Sequence, residues 1–212
     1  MNTKIALITG ATSGIGKASA ITLAKMGFDI IATGRRKDRL DELEKEIPAG
    51  VRYYPLVFDV RDREKVRDIL GNLPADWAAV DVLINNAGNA HGLDPIQTGS
   101  LDDWDAMMDI NVKGLLYVSK AIIPGMTERK SGIIINIGSI AGKEVYPNGN
   151  VYCGSKHAVD AITKGMRMDL NPFGIKVIGI HPGLVETEFS LVRFKGDEKR
   201  AETVYQGFEP LV

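Results

Sequence analysis

Short apolar runs alternate along this chain with longer stretches whose apolar positions recur every three or four residues. The runs fall at 4–9, 29–33, 51–58, 80–84, 132–138 and 174–180, and each reads as a strand. Between them, helical spacing covers 17–26, 37–47, a stretch ending at Leu70, 101–124 and 150–170, with a further short helix near 197–205. Regular alternation of this kind predicts an α/β protein: a doubly wound, Rossmann-like parallel sheet in one domain over residues 1–212.

Composition changes this picture little. A chain of 212 residues supports one sizeable core and is short for two. With 44% hydrophobic residues and a net charge of −1, it has no pull toward nucleic acid or a membrane surface. No apolar run is long enough to span a bilayer, and the N-terminus enters a strand at once without a signal peptide. A single cysteine, Cys153, excludes an internal disulfide and fits a reducing cytoplasm. His91, His157 and His181 lack metal-ligand spacing, so no metal is expected.

The candidate chemistry begins at the end of the first strand. Gly10-Ala-Thr12-Ser13-Gly14-Ile15-Gly16 is a glycine-rich turn leading into a helix, where backbone N–H groups and the helix dipole meet a diphosphate. Such turns also serve only to reverse the chain, but the strand-to-helix placement favours the phosphate. After the second strand, where NAD-binding sheets carry a ribose-binding acid, stands Gly34, followed by Arg35 and Arg36. Arginine suits a 2′-phosphate, so NADP is expected, through Arg35 above all; Arg36 also reads as a solvated charge at a helix start, and Lys17 suits a supporting cation or a surface role equally. Asp59, followed by Val60, closes the third strand and suits an adenine amino group or a helix cap equally. Asn85-Asn86-Ala87-Gly88 reads as pinning strand ends, with cofactor contact through the backbone near Ala87 and Gly88. Asn111, a mediocre helix former between Ile110 and Val112, implies a specific hydrogen-bonding duty.

Tyr152 and Lys156 stand four apart in a helical stretch and so share a face. An ammonium about 4 Å from the phenol would favour phenolate by roughly 4 kcal/mol at an effective dielectric of 20, bringing the tyrosine toward useful acid–base strength. Ser139 follows a buried strand, at the carboxyl edge where open α/β sheets bind ligands.

Together these residues resemble the short-chain dehydrogenase/reductase family over essentially the whole chain. The matching motifs are Thr9-Gly-x-x-x-Gly-Ile-Gly16, Asn85-Asn-Ala-Gly88, Asn111, Ser139, Tyr152-x-x-x-Lys156, and Pro182-Gly183 with Thr187. The resemblance implies a catalytic tetrad in which Tyr152 exchanges a proton with the substrate oxygen and Ser139 hydrogen-bonds it. Lys156 would lower the tyrosine pKa and bind the nicotinamide ribose, and Asn111 would hold a water in the proton relay. Residues 180–187, including Pro182, Gly183 and Val185, would line the nicotinamide, with Thr187 near its carboxamide. Residues 32–36, 149–152, 182–190 and 192–197 are similar to the NADP-dependent 3-hydroxy acid (serine) dehydrogenases, which also reduce malonic semialdehyde. A carboxylate substrate needs a cation, and Arg193, in the loop after Thr187, is the expected one, an exposed charge being the alternative. A reductase of other ketones, sugars or acyl carriers, or a non-catalytic nucleotide sensor, is the competing reading. By the same resemblance a final helix and seventh strand are expected to be missing, exposing the sixth strand's edge. A homodimer through 101–124 and 150–170, or a homotetramer, is the expected assembly.

Overall fold

The computed structural model describes residues 3–203. Six parallel strands, β1 (Ile5–Thr9), β2 (Asp29–Gly34), β3 (Tyr53–Val57), β4 (Val80–Asn85), β5 (Gly132–Ile137) and β6 (Ile175–Ile180), form one sheet in the order β3-β2-β1-β4-β5-β6. The helices are α1 (Gly14–Lys25), α2 (Lys37–Glu44), α3 (Arg63–Gly71), α4 (Leu101–Met108), α5 (Leu115–Arg129), α6 (Asn150–Leu170), α7 (Phe189–Arg193) and α8 (Glu198–Thr203). The expected helix near 197–205 is α8 as far as Thr203, and its remaining residues lie outside the described ones.

The two-residue period of β1 shows how the layers form. Ala6 and Ile8 pack with Ala20 and Ala24 of α1 and Leu40 and Leu43 of α2. Leu7, facing the other way, packs with Val66 of α3, Val118 and Met126 of α5 and Leu170 of α6. Every residue of β1 and β2 is buried, as a sheet covered on both faces requires. Pro55 is tolerated in β3 because this is an edge strand. Among the described residues β6 is the other edge, with Ile178 and Ile180 exposed.

Two expected elements changed on folding. The helical region 101–124 is three pieces, because a π-helical segment, Asp109–Gly114, separates α4 from α5 and widens the turn that carries Asn111. That widening is a frequent mark of a functional position. Pro124 lies inside α5, which continues to Arg129. The reversal of strand order between β1 and β4 leaves a crevice at their carboxyl ends, where open sheets of this kind bind ligands.

Candidate active site

A cavity of about 720 Å³ opens at that crevice, within the size range of small-molecule and cofactor sites. Of the residues named individually for catalysis, cofactor or substrate, all but Gly16, Lys17 and Asn111 line it, and within 180–187 Ile180, His181 and Glu186 do not. Gly16 lies beneath the turn: a β-carbon there would meet Gly10 O at 2.3 Å and Asn86 Nδ2 at 2.4 Å. Gly10 has φ +66°, and a β-carbon on it would stand 2.9 Å from Ala87 Cα. Glycine is thus required where the turn crosses the end of β4. Thr9 Oγ1 accepts from the backbone N–H groups of Asn86 and Ala87, both at 3.0 Å, while Asn86 Nδ2 donates to Thr9 O and Gly10 O. Ser13 occupies the N-cap of α1 without using its side chain to cap it, leaving the helix N-terminus facing the cavity as an anion site requires.

The other end of the nucleotide cavity is cationic. Arg35 pairs loosely with Asp59, at 3.8 Å. Arg36 is not the free solvated charge that its place at a helix start suggested: its guanidinium reaches Thr12 Oγ1 at 3.2 Å and Glu188 Oε2 at 3.1 Å. Asp59 does not cap the next helix. Asp62 does, accepting from Lys65 N at 3.0 Å, and Asp59 is held by Arg61, whose bonds help keep its carboxyl below the usual range despite burial. Lys17 pairs at the surface with Glu46.

The catalytic candidates meet at the opposite end, and a buried polar ladder positions them. The β4–β5 register sets Asn85 beside Asn136. Asn85 Nδ2 donates to Asn136 Oδ1 and Ser119 Oγ, both at 2.9 Å, and Asn136 Nδ2 donates to Thr163 Oγ1 at 3.0 Å. This ladder ties both strand ends to α5 and α6. Asn111 Oδ1 accepts from Asn89 N at 2.9 Å, and its Nδ2 donates to Asn89 O and Ser155 Oγ. Its amide donors are therefore spent on holding the segment after Gly88 against α6, with only oxygen lone-pair capacity left for a relay water. Ser139, at the carboxyl end of β5, lies close enough to Tyr152 to pull its phenol down, and its Oγ accepts from Ala141 N at 3.1 Å.

The Tyr152–Lys156 pair differs from the sequence expectation. Lys156 Nζ stands 6.0 Å from the centre of the Tyr152 ring and donates to Ile137 O at 3.0 Å. Burial pushes Tyr152 up to about 12, against the opposing pull of Ser139 and Arg193. Burial alone brings Lys156 down to about 8. In the protein alone desolvation wins: both groups are driven toward their neutral forms, and the expected lowering of the tyrosine is not there.

Arg193 lies on α7 rather than in a loop, and is only 6% exposed. Its Nε donates to Gly92 O at 2.8 Å and its NH1 to the Tyr146 hydroxyl at 3.2 Å. The guanidinium carbon is 5.7 Å from the ring centres of both Tyr146 and Tyr152. Among the described residues no carboxylate forms an ion pair with it. Tyr146, Gly92 and Glu188 were missed in the sequence because nothing local marks them. Their roles depend on partners 47 to 152 positions away, and Thr9 shows the same for the turn.

Comparison with known proteins agrees with this geometry. Residues 4–197 match the family model described as short chain dehydrogenase. The chain is 47% identical over 203 residues to the NADP-dependent 3-hydroxy acid dehydrogenase YdfG of Escherichia coli (strain K12), covering 95% of this chain and 81% of that one. It is 43% identical over 208 residues to sulfoacetaldehyde reductase 2 of Chromohalobacter salexigens, covering 98% and 82%. Among solved structures, the closed form of serine dehydrogenase complexed with NADP+ superposes with a TM-score of 0.93 at 46% identity, covering 98% of this chain and 83% of that one. A strand order with its switch point at the glycine turn, Ser139, Tyr152 and Lys156 on one cavity, and a family match over nearly the whole chain agree: this protein belongs to the short-chain dehydrogenase family.

Proposed function

We propose that the chain is an NADP-dependent oxidoreductase acting on a small 3-hydroxy acid and the corresponding semialdehyde. The carrying observation is Arg193: a buried guanidinium, without an ion-pair partner among the described residues, 5.7 Å from the ring of Tyr152. An unpaired buried cation beside the candidate proton donor is costly unless something anionic arrives. A carboxylate two carbons from the reacting oxygen suits that placement. The names of the relatives support this reading, since a 3-hydroxy acid and sulfoacetaldehyde are both small anions carrying the reacting group close by. They also support NADP, as do Arg35 and Arg36 in place of a ribose-binding acid.

When bound, NADP supplies the hydride acceptor or donor. The cavity fits it: glycines admit the backbone to a diphosphate, arginines stand at one end, and Ser139, Tyr152 and Lys156 stand at the other. In this reading Ser139 and Tyr152 hold the substrate oxygen and Tyr152 passes it a proton. Lys156 supplies a cation behind the tyrosine and faces the ribose. Asn111 fixes the wall formed by Gly88 and Asn89, where a β-carbon on Gly88 would meet Asn111 Oδ1 at 2.7 Å and Lys156 Nζ at 3.5 Å. Arg193, presented by Gly92 and Tyr146, takes the carboxylate. A homodimer through the faces of α4, α5 and α6 remains our proposal for assembly, supported by the exposed Met108, Leu116 and Met168.

The test is NADP⁺ reduction with L-serine and with 3-hydroxypropionate, using NAD⁺ and Tyr152→Phe as controls. Turnover with NADP⁺ that the substitution abolishes is expected. Turnover of neutral secondary alcohols but of neither acid would refute the substrate assignment.

A further inference from the structure

The segment after β6 returns to the cofactor end of the cavity. Thr187 lies against the glycine turn, so that a β-carbon on Gly14 would stand 3.1 Å from Thr187 Cγ2. Glu188 follows, and its Oε2 accepts from both terminal nitrogens of Arg36, each at 3.1 Å. Its Oε1 lies 3.6 Å from Arg39 NH2. Arg36 NH2 also donates to Thr12 Oγ1 at 3.2 Å. One carboxylate therefore engages two guanidinium groups at the end of β2 and the start of α2, beside the glycine turn. Arginine holds carboxylates and phosphates through the same fork of N–H donors. A phosphate ester on the ribose would seek the donors that Glu188 now uses, and would meet its negative charge there.

We propose that Glu188 is an internal competitor for the 2′-phosphate, holding Arg36 in the nucleotide-free protein and yielding it to the phosphate. It thereby tempers the preference for NADP over NAD, an inference that rests on the NADP reading above. The exchange also has a route to the substrate end. Phe189, the next residue, opens α7 with its ring 5.8 Å from that of Tyr152, and the same short helix ends in Arg193. Filling the phosphate site would release the tether at one end of the segment that carries the substrate's cation at the other.

Calorimetric titration with 2′,5′-ADP and with 5′-AMP separates the terms, since the two probes differ only in the 2′-phosphate. Glu188→Gln is expected to bind 2′,5′-ADP about two- to fivefold tighter, the scale of losing one half-exposed ion pair, with 5′-AMP unchanged. Arg36→Ala should weaken 2′,5′-ADP and erase the effect of Glu188→Gln in the double variant. Unchanged or weaker 2′,5′-ADP binding by a folded Glu188→Gln protein overturns the inference, because the carboxylate would then be orienting Arg36 for the phosphate. A wild type that binds both probes equally overturns the NADP reading itself, and the inference with it.

Discussion

Replacing Lys156 by methionine removes a buried cation at nearly constant volume. The lysine is 6% exposed, and burial brings its pKa from 10.5 to about 8. At about 1.36 kcal/mol per pH unit, that depression corresponds to about 3 kcal/mol of charge burial carried by the folded protein at neutral pH. The sign follows from counting protons. Between about pH 8 and 10.5 the unfolded chain keeps a proton that the folded protein has released, so this lysine makes stability rise with pH across that window. Below about pH 8 both states are protonated and the penalty stands in full. Tyr152, held up to about 12, acts oppositely above pH 10, but it does so in both proteins and drops out of the difference. Losing the bond to Ile137 O costs about 1–3 kcal/mol at any pH. The stability of Lys156→Met minus that of the wild type should therefore fall by about 3 kcal/mol between pH 7.5 and 10.5, whatever its absolute value. Urea unfolding of the nucleotide-free proteins at several pH values measures it. A flat difference across that range would refute the claim that Lys156 pays a desolvation penalty. Loss of turnover in the same variant would then mark a residue kept for chemistry at the expense of stability.

Two further substitutions examine the two ends of the cavity. Arg193→Ala should lower kcat/KM for a 3-hydroxy acid about 10- to 100-fold, the worth of one charge-assisted contact, while a neutral alcohol such as 1,3-propanediol, which loses only the guanidinium's pull on Tyr152, falls less. Equal losses on both would show that Arg193 acts through Tyr152, Gly92 and Tyr146 and not on a carboxylate. Gly16→Ala must push a methyl group against the Gly10 carbonyl and the Asn86 amide, so about 1–3 kcal/mol of strain and a nucleotide affinity weakened at least about tenfold are expected. Normal melting and normal NADPH fluorescence titration would contradict that geometry.

The sheet was legible because each strand is a short apolar run closed by a turn, and a parallel sheet covered on both faces leaves its strands little polar character. The glycine turn, Ser139, Tyr152 and Lys156 were legible for a different reason: each lies on a local motif whose spacing fixes its geometry. Asn111 was marked by its apolar neighbours, but the π-helical turn that aims it was not, since α4 and the widened segment itself pack against α6, a contact that local spacing does not show. Arg36 and Arg193 carry no local sign of burial or partnership. Arg36 looked like one charge among the many that begin α2, and only the fold brings Glu188 to it from 152 positions away. Arg193 looked as exposed as its charged neighbours, and it is buried because Gly92 and Tyr146 enclose it. The pKa of Tyr152 was misjudged for a related reason: the four-residue spacing gives the proximity of the lysine, but not the burial that governs both groups.

That burial bears on which way the proton moves. A phenol held up to about 12 is protonated at neutral pH, so Tyr152 in the protein alone is an acid, ready to protonate oxygen on a carbonyl carbon that receives hydride. To accept a proton from an alcohol it must first lose its own, and the groups that favour this are Ser139 and Arg193, both of which pull the phenol down. A substrate carboxylate seated on Arg193 would cancel much of that guanidinium's pull, returning the tyrosine further toward its protonated form. On the substrate assignment we propose, recognition of the anion and deprotonation of Tyr152 would oppose each other through one residue. On that assignment the arrangement would suit reduction of a semialdehyde at neutral pH better than oxidation of the hydroxy acid.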